Sequence, residues 1–117
     1  MRLRVFATLL AAAAALAVVP VASPSQTATR KTVVKVSAKE FKFTLTRTKV
    51  PHGLVVFVVT NRGKLGHDFK IGTKKTPLLK PGKSSTIQVT LPKGGKKYLC
   101  TVPGHAAAGM KGTLRVT

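Results

Sequence analysis

From Thr32 onward, apolar and polar side chains alternate with a period of two. Phe41, Phe43 and Leu45 are separated by Lys42 and Thr44, Phe69 and Ile71 flank Lys70, Ile87, Val89 and Leu91 are separated by Gln88 and Thr90, and Leu114 and Val116 flank Arg115. Successive side chains of an extended chain point to opposite faces, so each segment predicts a half-buried strand. The run Leu54 to Val59 is apolar throughout and mostly β-branched, which predicts a strand covered on both faces at a sheet centre. Between the segments lie Pro51-His52-Gly53, Asn61-Arg62-Gly63, Pro81-Gly82, Pro92-Lys93-Gly94-Gly95 and Pro103-Gly104, all with turn chemistry. No stretch after residue 30 sustains helical periodicity. Some seven to eight short strands punctuated this way predict an all-β fold, a Greek-key antiparallel β-sandwich.

The first residues break the pattern. Arg2 and Arg4 precede an apolar, Ala- and Leu-rich run from Val5 to Val19, the layout of a secretory signal peptide and short for a spanning helix of about 20 residues. We expect a signal peptide over residues 1–23, cut after Ala17 or Ser23, then a Ser/Thr/Pro linker over 24–30 and one folded domain over 31–117. The domain is therefore expected outside the cytoplasm, periplasmic or extracellular, and tethered to a membrane only if the leader is kept.

Charge narrows the partners. The chain has 117 residues, with 21 Lys and Arg against 2 acidic residues, a net charge of +19; loss of Arg2 and Arg4 with the leader leaves +17. Such a field favours an acidic partner protein and contact with an anionic membrane or cell-wall surface. It does not predict nucleic-acid binding, because no stacking aromatics interleave with the cations. Lysines on outward and edge positions also discourage strands of neighbouring molecules from pairing, and a monomer is expected.

Disulfides cannot brace this small domain, since Cys100 is the sole cysteine. Cys100, His105 and Met110 instead fall in one loop, each separated from the next by four residues. A thiolate, an imidazole and a thioether suit copper, and a trigonal His₂Cys set with a weak axial Met is the blue-copper arrangement. The second imidazole must come from elsewhere. His52 lies in a Pro-His-Gly turn that favours a solvent-facing role, whereas His67 starts the segment His67-Asp68-Phe69-Lys70-Ile71 and is the better candidate.

Tyr98-x-Cys100, Pro103-Gly104-His105, Met110-x-Gly112 and Gly66-His67-Asp68-Phe69 together resemble the cupredoxin, or type 1 blue-copper, family that includes plastocyanin, azurin and auracyanin. The resemblance covers nearly the whole domain. It implies one copper ion cycling between Cu(I) and Cu(II), held strongly by His67, Cys100 and His105 and axially by Met110. Gly66 stands where azurins offer a distant carbonyl contact. Asp68 replaces the Asn usual in plastocyanin and azurin, and its carboxylate is expected to accept backbone N–H groups near Thr101, joining the ligand-bearing segments.

The function expected is that of a one-electron carrier, not an enzyme, because four protein ligands leave no open position for a small-molecule substrate. Multicopper oxidases and copper nitrite reductases resemble fused domains with further histidines, and a binuclear centre needs a second cysteine in the loop. Two alternatives stand beside it: a copper-delivery or buffering module without electron transfer, and a cationic cell-surface-binding module.

Overall fold

The computed structural model describes residues 11–20 and 30–117. Most of the expected leader and linker, residues 1–10 and 21–29, lies outside the described residues; residues 11–20 belong to no helix or strand. Among the described residues no helix is long and apolar enough to cross a membrane.

Among the described residues nine strands form two sheets. They are β1 (Thr32–Lys39), β2 (Lys42–Leu45), β3 (Lys49–Val50), β4 (Gly53–Asn61), β5 (Lys70–Ile71), β6 (Lys74–Lys75), β7 (Ser84–Leu91), β8 (Gly94–Leu99) and β9 (Lys111–Val116). One sheet has the order β2-β1-β4-β7 and the other β3-β9-β8-β5-β6. The expected all-β sandwich is present, with one more strand than anticipated and with mixed sheets. β1 runs parallel to β4, and β3 parallel to β9, while the remaining pairs are antiparallel. Parallel pairing arises because the chain leaves β1 through β2, visits the other sheet as β3, and returns beside β1 as β4. Alternation marks which residues form strands but says nothing of the direction of their partners.

The long strands β1, β4 and β9 bury the faces their sequences set. β1 buries Val34, Val36 and Ala38 and exposes Val33, Lys35 and Lys39. β4, with Val55, Val56, Phe57 and Val59 buried, sits between β1 and β7 as the sheet's covered centre. The core between the sheets holds a cluster of rings: Phe43 meets Phe69 edge-on at 5.2 Å, and Phe69 lies 5.3 Å from Phe57 and 5.5 Å from Tyr98. Such pairs add roughly 0.5–1.5 kcal/mol each beyond burial. Opposite Tyr98 in the β8–β9 register stands Gly112, where a Cβ would fall on the phenol ring. The Met110-x-Gly112 spacing thus reflects packing as well as chemistry.

Two local expectations shift. Phe41 falls outside β2, in the turn after β1, and its ring packs edge-on against His105 at 5.2 Å. His67 does not begin a continuous strand; it forms an isolated antiparallel bridge with Leu79, and β5 starts at Lys70.

Candidate metal centre

One end of the sandwich gathers the chemistry. His67 is fixed through its backbone, donating its N–H to Leu79 at 3.1 Å and accepting the Leu79 N–H at 2.7 Å. Cys100 follows β8 directly, and its N–H donates to the Met110 carbonyl at 3.1 Å, closing the base of the loop that carries His105. Within that loop the Met110 N–H donates to the His105 carbonyl at 3.0 Å, and Gly109 adopts φ 115°, which other residues rarely reach.

These constraints bring three expected donors together. His67 Nδ1 and His105 Nδ1 are 3.1 Å apart, and Cys100 Sγ lies 3.6 Å from His105 Nδ1. All three donors fall within 4.8 Å of one another. His67 and Met110 are fully buried, Cys100 is 1% exposed and His105 9%. Met110 ends the same loop. His52 is exposed at the far end, its Nδ1 2.9 Å from the Thr117 carbonyl oxygen, in keeping with the turn role expected for it.

Glu40, in the β1–β2 turn, fixes the tautomer of the His67 ring. Its Oε1 lies 3.1 Å from His67 Nε2 and also accepts the Lys64 and Leu65 N–H groups at 2.6 and 2.8 Å. The Leu65 N–H foremost, with that of Lys64 and a smaller contribution from His67, outweighs desolvation and holds the Glu40 carboxyl down at about 2, against 4.5. An ionised carboxylate can only accept, so Nε2 of His67 carries the hydrogen and Nδ1 keeps a lone pair aimed at the centre. A Cβ at Gly63, in the loop after β4, would collide with the Glu40 carboxylate, which explains the glycine there.

Asp68 performs the expected joining role: it accepts the Thr101 N–H at 2.6 Å and the Thr101 hydroxyl. Asn61, fully buried, shapes the loop before His67. Its Nδ2 donates to the Leu65 and Leu79 carbonyls, both at 2.7 Å, and its Oδ1 accepts the Gly63 N–H at 2.9 Å. Every element of the site is thereby tied to a neighbour.

The donors suit a soft cation. Bonds of about 2.0 Å to nitrogen and about 2.3 Å to sulfur put donors of one shell roughly 3–4 Å apart, and the separations of 3.1 and 3.6 Å lie in that range. Burial pushes the Cys100 thiol up, with smaller opposing contributions from backbone N–H groups. Without a cation the thiol stays protonated, and the thiolate forms at the expense of a released proton. Around His105 the surface is apolar: Leu65, Leu78, Val102 and Pro103 line a shallow depression beside it, and Leu65 and Leu78 are exposed.

Sequence reasoning found the three donors and Asp68 but not Glu40, Asn61 or the Leu65–Leu78 rim. One signal for Glu40 was available: it is the other acid of a chain with only two.

A β-sandwich that closes one end over a buried His₂Cys set defines the class of small copper-binding proteins. Residues 23–117 match the family model described as copper binding proteins, plastocyanin/azurin family, and the chain belongs to that family. It is 30% identical over 104 residues to the copper-resistant cuproprotein CopI of Vibrio cholerae serotype O1, covering 68% of this chain and 62% of that protein. With rusticyanin of Acidithiobacillus ferrooxidans it shares 35% over 82 residues, 53% of this chain and 52% of that one. The chain thus spans less than two thirds of the length of either relative. Reduced auracyanin from Roseiflexus castenholzii superposes with a TM-score of 0.67 at 25% identity, over 74% of this chain and 97% of that one.

Proposed function

We propose that the chain is a mononuclear blue-copper protein that carries single electrons outside the cytoplasm, after loss of its leader. His67, Cys100 and His105 are the strong ligands and Met110 the weak axial one. The observation that carries this reading is the convergence of two imidazole Nδ1 atoms and one thiol in a buried pocket braced by hydrogen bonds. Bound copper supplies one-electron exchange between Cu(II) and Cu(I). The protein's part is restraint. Glu40 holds the His67 ring in one tautomer, Asp68 ties the His67 segment to the Cys100 loop, and the buried donors exclude water. A ligand shell fixed in this way changes little between oxidation states, which favours fast exchange and leaves no open position for a substrate. The apolar rim around His105 suits close approach of a redox partner, and the net positive charge suits an acidic one.

A second reading, copper tolerance by sequestration or delivery, draws support from the printed description of CopI as copper-resistant. Addition of Cu(II) to the purified chain separates these from a metal-free role. Intense visible charge-transfer absorption and a narrow EPR hyperfine splitting are expected, and both are lost in Cys100→Ser and His67→Ala. A wild-type protein that stays colourless overturns the carrier reading, and one that takes up no copper overturns both. Copper retained through many redox cycles favours the carrier, and rapid loss to an apo-acceptor favours delivery.

A further inference from the structure

The cations are not spread evenly over the sandwich. On the outward face of the β3-β9-β8-β5-β6 sheet, the register lines up three rows. Lys75, Lys70, Leu99 and Lys111 form the first, Lys97 and Thr113 the second, and Gly95, Arg115 and Lys49 the third. All six basic residues there are exposed. Lys70 directly opposes Lys75, and Arg115 directly opposes Lys49; like charges in such positions destabilise a sheet. Neither acid of the chain relieves them, because Glu40 is engaged at the metal end and Asp68 with Thr101. The opposite sheet turns outward mostly neutral residues, among them Thr60, Ser84, Thr86, Gln88 and Thr90, with Lys35, Lys39 and Lys42 along β1 and β2.

We propose that this six-cation sheet face is a docking surface for an anionic phospholipid bilayer. Three features favour a bilayer over an acidic protein. The rows run from Lys111, next to Met110, back along β9 to Arg115, four residues or roughly 13 Å away, so a partner seated on the His105 rim would leave the last row uncovered, whereas a plane covers all three. Five of the six are lysines, mobile point charges without the fork that reads fixed carboxylates, which suits diffusing headgroups. The face is a pleated sheet surface with no aromatic side chain among its rows. Lying on this face, the protein keeps the His105 rim, at the strand ends, open to a redox partner. The proposal requires only that the chain meet a bilayer; it does not depend on copper.

The test uses the purified copper-free chain and sedimentation with phosphatidylcholine vesicles, with and without phosphatidylglycerol. Two variants remove equal charge from opposite faces: Lys70→Gln/Lys75→Gln/Lys97→Gln and Lys35→Gln/Lys39→Gln/Lys42→Gln. A lysine near an anionic surface contributes about fivefold to binding. The first variant is therefore expected to bind phosphatidylglycerol vesicles roughly 100-fold more weakly than wild type, and the second only a few-fold more weakly, with binding abolished by high salt. Equal losses in the two variants, or wild-type binding that ignores phosphatidylglycerol, overturn the proposal. So does a face-specific loss seen with polyglutamate but not with vesicles, which would assign the surface to an acidic polypeptide. Blue-copper spectra of the same variants stay unchanged in every case, so failure here is distinct from failure of the copper reading.

Discussion

Asp68→Ala offers the sharpest test of how the two ligand-bearing segments are joined. In the wild type, one carboxylate accepts both the backbone N–H and the hydroxyl of Thr101, and Asp68 is 5% exposed. Hydrogen bonds to a charged group contribute about 1.5–3 kcal/mol each. Losing two, while relieving the desolvation of the carboxylate and letting water reach the half-buried Thr101, leaves a net cost of roughly 2–4 kcal/mol. For a domain of this size each kcal/mol lowers Tm by about 4–8 °C, so the copper-free variant is expected to melt roughly 10–25 °C below wild type. Asp68→Asn can still accept one bond and donate another, without charge, and should recover about half of the loss. Circular dichroism melts and urea titrations of the copper-free proteins measure this without interference from metal. An Asp68→Ala protein melting within about 2 °C of wild type would refute the joining role. Copper affinity supplies a second readout, expected to fall about 10- to 100-fold.

Glu40→Gln keeps the shape of the turn but loses the obligate acceptor that fixes His67, and copper affinity should drop by about 10- to 100-fold in competition titrations. The Glu40 carboxyl is held at about 2 in the fold against 4.5 otherwise, so its contribution is complete above pH 4.5 and fades as pH falls toward 2. Acid titration of the copper-free protein should show wild type losing stability through that window and Glu40→Gln losing less. Gly112→Ala puts a methyl on the Tyr98 ring and should cost about 1–3 kcal/mol by urea denaturation. Copper at about 100 times its dissociation constant should stabilise the protein by about 2.7 kcal/mol, measurable as a higher Tm that chelation reverses.

The strands were legible because burial on one face writes a period of two into the sequence: β1 and β9 bury the positions that alternation marks, and β7 buries Val89 and Leu91 and half-buries Ile87. The cluster of His67, Cys100 and His105 was legible because Cys100 and His105 share one short loop and His67 was the one other histidine outside a Pro-His-Gly turn. What stayed hidden depends on contacts remote in the chain. Glu40 reaches His67 across 27 positions, and Leu65 and Leu78 meet beside His105 only after the loops fold. Phe41 illustrates the limit. Its place in an alternating run suggests a strand side chain, yet the β1–β2 turn ends the pairing and turns the ring onto His105. The parallel neighbours of β1 and β9 were equally invisible, since direction is a property of the crossover and not of the strand.

Both carboxylates of this chain face inward obligations, one at a ligand imidazole and one at the ligand loop. The exterior is therefore written in a single sign. With both acidic side chains so engaged, the long-range field of the protein is set by its lysines and arginines. Evolution can add or delete lysines on the outside to suit a new neighbour without touching the groups that steady the metal.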